Sequence, residues 1–259
     1  MKFGVTSDIH FGAKSSRFLL DGDYTNFKRA VEIFNRCQRV YFNGDILDVA
    51  LNLATPKRNY IPQNSDEEKM IRNRTKLLLP NLELLLDACP NPDFVYLKGN
   101  HDGYDVFFEE LTSFAHKFNG RLKLSDGPEI IGNSFIYHGD DLIDDLQYKK
   151  NLKGKTWEER VETEGTPLKL EIEMYSKILA KLQERYDLTD IEHIFLGHFH
   201  VERPMLTIPD KNVSFHNSGA FTLPYNAIIF ECDTIEKESD ALGYLQAHQF
   251  VHSPTQGKR

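Results

Sequence analysis

The stretch 193-HIFLGHFH-200 joins a short apolar run, Ile194-Phe195-Leu196, to a glycine and then to two histidines one residue apart. Continuous rather than alternating apolar character over so few residues is the mark of a strand buried on both faces. The same look recurs at Phe3–Thr6, Val40–Asn43, Phe94–Leu97, Ser134–Tyr137, Val213–His216 and Ala227–Glu231. Helical patterns lie between several of these runs. Residues 27, 30, 31, 33 and 34 are apolar within Phe27–Phe34, and Asp105–Phe118 is a second helical stretch. Ser65 with Glu68 has the form of a capping box opening a helix through Lys76 and beyond. Strands alternating with helices predict a layered α/β domain.

The chain has 259 residues, enough to bury a sizeable core, with 40% hydrophobic and 27% charged residues. No run approaches the roughly 20 apolar residues of a membrane span, and MKFGVTSDIH at the start reads as a strand rather than a signal peptide. The expectation is a soluble, cytoplasmic protein, and three scattered cysteines, Cys37, Cys89 and Cys232, fit reduced structural thiols. A net charge of −8 argues against general affinity for nucleic-acid backbones, which rests on Lys and Arg. The sequence sets no oligomeric state.

The informative fact is where the polar residues stand. Asp8-Ile9-His10 follows the first run; Gly44-Asp45 follows the second, with Asp48 three residues on; Gly99-Asn100-His101-Asp102 follows the third. His138-Gly139-Asp140 and Gly197-His198-Phe199-His200 follow the fourth and fifth. Ligands of open α/β sheets bind outside the carboxyl ends of strands, so five such clusters would converge on one site. Asp8, His10, Asp45, Asn100, His138, His198 and His200 form an O/N donor set without thiolate, suited to Mn²⁺, Fe, Zn²⁺ or a similar metal. Asp-x-His and His-x-His in extended chain would place both side chains on one face. Glycines before Asp45, Asn100 and His198 suit tight turns and close backbone approach.

Taken in order, SDIH, GDILD, GNHD, YHGD and GHFH resemble the signature of the calcineurin-like metallophosphoesterase superfamily, and they span residues 8 to 200. The resemblance implies a four-layer α/β/β/α sandwich, here with a helical insertion around 141–190 within a single domain of residues 1–259. It implies two divalent metal ions, Mn²⁺ foremost, with Fe, Zn²⁺, Ni²⁺ or Co²⁺ as alternatives. One would take Asp8, His10, Asp45 and His200; the other would take Asp45, Asn100, His138 and His198. A hydroxide between them would attack a phosphoester or pyrophosphate in line. His101 would stabilise the transition state and protonate the leaving oxygen, and Asp48 would hold His101. Asp102 is read as a cap on the following helix.

Three readings of the substrate stay open. His138-Gly139-Asp140, a later helical segment and Asn217-Ser218-Gly219 resemble the UDP-diacylglucosamine pyrophosphatase branch, a small-molecule or nucleotide-type chemistry, although that branch often carries Arg where this chain has His101. Asp8-Ile9-His10-Phe11-Gly12 resembles the opening motif of a DNA-repair exonuclease branch. A non-catalytic binding scaffold is the third reading. Residues 50–64 form a long irregular loop in which Lys57, Arg58 and Tyr60 could meet substrate, and His216 and Asn217 are further candidates. Lys149, Lys150, Lys153 and Lys155 form a basic patch suited to peripheral membrane contact. It precedes an apolar helical stripe, Leu168, Ile172, Tyr175, Ile178, Leu179, Leu182 and Tyr186, which fits either an insertion over the active face or an ordinary layer helix.

Overall fold

The structure, a computed structural model, describes residues 1–13, 16, 18–19, 24–49, 61–142, 168–199, 205–209, 211–219, 221, 227–234 and 242–250. In chain order the elements are β1 (Lys2–Thr6), α1 (Thr25–Phe34), β2 (Arg39–Asn43), α2 (Ser65–Ala88), β3 (Asp93–Leu97) and α3 (Asp105–Ala115). A 3-10 turn, His116–Phe118, leads to β4 (Leu122–Ser125), β5 (Glu129–Ile131) and β6 (Ser134–Tyr137). Then come α4 (Leu168–Arg185), β7 (His193–Leu196), β8 (Met205–Ile208), β9 (Val213–Asn217), β10 (Ala227–Thr234) and β11 (Leu242–Phe250).

Two mixed sheets result, one of six strands in the order β11-β10-β1-β2-β3-β4 and one of five in the order β5-β6-β7-β9-β8. Strands β1 to β4 run parallel, as do β6, β7 and β9, while β10, β11, β5 and β8 pair antiparallel. The seven runs read from the sequence are all strands.

Three buried clusters explain why those runs are mostly apolar. Val40 and Phe42 pack with Phe34 of α1, Leu82 of α2 and Phe107 of α3. Their neighbour Tyr41 joins Phe3, Val5, Val95, Ile136, Phe195 and Phe230, drawn from both sheets. Ile194 and Leu196 join Met174, Tyr175, Ile178, Leu179 and Leu182 of α4. Successive residues of a strand point to opposite faces, so burial on both faces calls for an apolar residue at every position.

The described helix of the expected 141–190 insertion is therefore a packed element of the fold: its stripe covers the five-stranded sheet. Residues 143–167, with the Lys149–Lys155 patch, lie outside the described residues. The α2 cap also differs from expectation. Asn64, not Ser65, is the cap: its side-chain oxygen accepts from the amides of Asp66 (3.1 Å) and Glu67 (3.0 Å). Glu67, rather than Glu68, reaches back to the Gln63 amide at 2.6 Å. An asparagine one residue upstream performs the same role as the expected serine. The three cysteines are buried and free, and burial pushes Cys37 and Cys89 up to about 12, which keeps them inert. No described helix is long and apolar enough to cross a membrane.

Candidate metal centre

The carboxyl ends of β1, β2, β3, β6 and β7 meet. After β1 the chain does not stay extended: Asp8 and His10 sit at φ 53° and 52°. Asp45 (55°) and His198 (60°) are left-handed too, so four of the seven non-glycine residues with positive φ among those described are predicted ligands. The expected sharing of one face by extended i, i+2 residues is thus replaced by left-handed turns. The reason is the neighbouring loop. The amides of Asp8, His10 and Phe11 donate to the carbonyls of Gly44 (3.1 Å), Asp45 (3.0 Å) and Ile46 (2.8 Å). Such lacing holds a backbone that an isolated Asp or His would avoid.

The glycines before the ligands are there for space. A Cβ on Gly44, whose φ is 81°, would stand 2.5 Å from His138 Nδ1. On Gly197 it would stand 2.6 Å from the same atom, and on Gly99 it would collide with Asp45.

Asp45 lies at the middle. Its Oδ1 accepts the His101 amide at 2.8 Å, and its Oδ2 is 3.3 Å from His138 Nε2. Asn100 Oδ1 lies 3.2 Å from His138 Nε2 and 3.0 Å from His198 Nδ1. On the other side Asp8 Oδ1 is 3.7 Å from His10 Nε2, while Asp8 Oδ2 accepts from the Ser7 hydroxyl and from the His198 amide at 3.1 Å. The His10 and His101 rings meet edge to face at 4.8 Å. His101 Nδ1 lies 2.9 Å from Asp48 Oδ1. Among the described residues two groups have donor atoms all within 4.8 Å of one another: His10, Asp45 and His101, and Asp45, His138 and His198. They share Asp45.

The charges are set by this crowding. Burial pushes the Asp45 carboxyl up, but His138 and His101 outweigh it and hold it well below the usual carboxylate range. Burial pulls His138 and His101 down, yet Asp45 and its neighbours raise them to about 10 and about 9. Burial lowers His198, and the adjacent His138 adds to that. Buried carboxylates here draw protons onto imidazoles, which is what a site for cations does when only protons are available.

This donor set fits a pair of divalent cations. Ligands about 2.0–2.2 Å from one ion and roughly at right angles stand about 3 Å apart. Asn100 Oδ1 stands 3.2 Å from His138 Nε2 and 3.0 Å from His198 Nδ1, and His138 Nε2 stands 3.3 Å from Asp45 Oδ2. His138 Nδ1 donates to the Asn43 carbonyl at 2.7 Å, which turns Nε2 toward that centre.

The sequence profile of calcineurin-like phosphoesterases matches residues 1–202. The chain belongs to the calcineurin-like phosphoesterase family. No curated protein matches it. Family membership makes it a metal-dependent phosphoric ester hydrolase, and its two sheets with flanking helices are consistent with the fold of calcineurin-like phosphoesterases.

Other predicted residues fall elsewhere. His216 does not face this centre. It is fully buried between the sheets, stacked on Phe195 at 4.6 Å and 3.0 Å from His193 Nδ1, and burial drives it down to about 3. One register position short of the strand end, its side chain points into the inter-sheet layer. Asn217 is engaged within the fold: its amide donates to the Gly197 carbonyl at 3.3 Å, its oxygen accepts the Gly219 amide at 2.9 Å, and Tyr175 is a further hydrogen-bond partner. It braces the turn before His198. Phe199 packs into the α4 cluster, 2% exposed. His200, Lys57, Arg58 and Tyr60 lie outside the described residues.

Asp102 is not a helix cap. Fully buried, it accepts from the amides of Asp45 (3.1 Å), Ile46 (2.7 Å), Leu47 (3.2 Å) and Gly99 (2.9 Å) and from the Tyr96 hydroxyl (2.6 Å). One carboxylate thus ties the loop after β2 to the loop after β3. Sequence reasoning missed this role because an aspartate shortly before a helix has the same local pattern as a cap.

Proposed function

We propose that this chain is a dinuclear phosphoesterase in which Asp8, His10, Asp45 and His200 hold one metal and Asp45, Asn100, His138 and His198 the other, with Mn²⁺ favoured. The observation that carries the reading is the convergence of two carboxylates, an amide oxygen and the imidazoles around a shared Asp45, beside a histidine tethered to Asp48. Two divalent cations would supply charge neutralisation and Lewis acidity at the phosphoryl group.

The chain's own residues supply the rest. His101 Nδ1 is engaged by Asp48, which leaves Nε2 for the leaving oxygen. Without cations, Asp45 and then Asp48 raise His101 to about 9 against its burial. With Asp45 engaged by cations, Asp48 at 2.9 Å would be the partner that favours the protonated, donating ring. Its side chain is 29% exposed whereas those of Asp8 and His138 are 0%, so substrate approaches on the His101 side. All 259 residues are read as one domain, because β10 and β11, beyond the family match, extend the same sheet as β1. The three apolar clusters support an α/β/β/α layering.

For the substrate we favour a small phosphoester or a nucleotide-type pyrophosphate, as in UDP-diacylglucosamine hydrolysis, on the strength of the sequence motifs and the net charge of −8. The test is to load the purified protein with Mn²⁺. It is then assayed in parallel on a simple monoester, a simple diester, a cyclic nucleotide, single-stranded DNA and a UDP-sugar lipid. Turnover confined to the UDP-sugar lipid supports the pyrophosphatase. Diester and DNA cleavage without monoester activity replaces it with a nuclease. No bound metal and no turnover on any phosphoester leaves only a binding scaffold.

A further inference from the structure

The metal centre is assembled from two sheets. Loops of the six-stranded sheet bring Asp8, His10, Asp45, Asn100 and His101, and loops of the five-stranded sheet bring His138 and His198. Apolar packing between sheets is non-directional, and it cannot by itself fix two halves of a site whose bonds are about 2 Å long. Hydrogen bonds can.

Among the described residues Asp8 spans the gap from a ligand loop, its Oδ2 accepting the His198 amide at 3.1 Å, and Asn43 spans it from the strand ends themselves. Asn43, the last residue of β2, is fully buried. Its amide nitrogen donates to the Tyr137 carbonyl at 3.0 Å and to the Phe195 carbonyl at 3.3 Å, at the ends of β6 and β7. The Tyr137 carbonyl belongs to the peptide that begins His138. Phe195 is two residues before Gly197. The backbone carbonyl of the same Asn43 accepts the His138 Nδ1–H at 2.7 Å. Two residues back, Tyr41 occupies the apolar inter-sheet cluster. The Asn43 amide oxygen finds no partner among the described residues. A buried amide with an unsatisfied oxygen is a costly occupant of an apolar layer, where leucine would fill similar space without polar atoms.

We propose that Asn43 is a positioning residue for the metal centre. By stapling the ends of β6 and β7 to β2, it sets where His138 and the Gly197–His198 turn stand relative to Asp45 and Asn100. What His138 and His198 are for rests on the dinuclear reading above; the staple itself does not.

The experiment compares the full-length wild type with Asn43→Leu. In the metal-free protein, the wild-type His138 Nδ1–H gives a solvent-protected, downfield resonance by NMR, which Asn43→Leu broadens or loses. Calorimetric titration with Mn²⁺ then finds one of two sites weakened about 10- to 100-fold in Asn43→Leu and the other little changed, as expected when a ligand loses its support. A merely structural role would lower the unfolding temperature and leave the two affinities unchanged or weakened alike, which overturns the proposal. Asn43→Ser keeps one donor and gives an intermediate loss; it carries the same comparison if Asn43→Leu does not fold. Suppose the wild type takes up no Mn²⁺ but the protected proton is present and lost in Asn43→Leu: then the metal reading fails and the staple stands. If the wild type binds two ions and Asn43→Leu binds both unchanged with its proton protected, the staple fails and the metal reading stands.

Discussion

Two buried carboxylate clusters flank β1, one beyond its carboxyl end and one toward its amino end, and they are neutralised by different means. Glu231 of β10, 3% exposed, accepts from Lys2 Nζ (3.2 Å), Arg36 Nη2 (2.6 Å) and His248 Nε2 (2.8 Å), contributed by β1, the segment after α1, and β11. None of these four residues has a positive φ. At the other end Asp45 and Asp8 are met by imidazoles and by backbone amides, and both sit in left-handed backbone. At Glu231, which ties elements together, the charge is matched chiefly by two permanent cations, Lys2 and Arg36, with His248 beside them. Charge gathered for an external cation is matched by groups that give way to it, since an imidazole can shed its proton and an amide carries no net charge.

The sharpest way to break this contrast is Asp45→Asn. It should cut metal content, measured by elemental analysis, from two ions toward none. It should lower kcat/KM by more than the about 100-fold that loss of a ligand's supporting partner costs. Full metal content in Asp45→Asn would remove the shared carboxylate from the reading. His101→Ala comes next: two metals retained, with kcat down about 10²- to 10⁴-fold on a substrate with a poor leaving group. Near-wild-type turnover there would show that His101 is not the acid.

Asp102→Ala separates support from chemistry. It strands four buried amides and a tyrosine hydroxyl, and should destabilise the fold by on the order of 3 kcal/mol in denaturant unfolding. Tyr96→Phe, which removes only the hydroxyl bond, should cost about 1 kcal/mol. Equal effects would mean the four amides find other partners. The smallest effect on activity belongs to Glu231→Gln, which should leave metal content and turnover unchanged while costing on the order of 2 kcal/mol of stability at neutral pH. Arg36 foremost, then His248 and Lys2 against burial, hold the Glu231 carboxyl at about 2, below its ordinary value of 4.5. A depressed carboxyl contributes fully above its unfolded value and loses that contribution as pH falls through the folded one. The gap in melting temperature between wild type and Glu231→Gln should therefore close between pH 4.5 and about 2. A gap independent of pH would point to packing rather than charge.

The central strands were readable because burial on both faces leaves a largely apolar run, and the proposed ligands because each cluster stands directly after one. The edges were not. β8, Met-Leu-Thr-Ile, alternates exposed and buried over only four residues. β11, Leu-Gly-Tyr-Leu-Gln-Ala-His-Gln-Phe, is exposed over most of its length and owes its strand to pairing with β10. Within the site, residue types were legible but their backbone was not, since Asp8, His10, Asp45 and His198 do not announce a positive φ as glycine would. Asn43 and Asp102 escaped for a related reason: their importance comes from partners distant in sequence, and one residue cannot declare whom it will meet.

Those four left-handed residues also bear on how such a protein drifts. Each holds a conformation that costs an ordinary residue roughly 1 kcal/mol or more, and glycine would relax every one of them. Were the metal chemistry no longer selected, mutation to glycine at positions 8, 10, 45 or 198 would ease the backbone while deleting a ligand. Aspartate and histidine at all four places thus stand against the chain's own conformational preference, and the hydrogen bonds between neighbouring loops carry that cost.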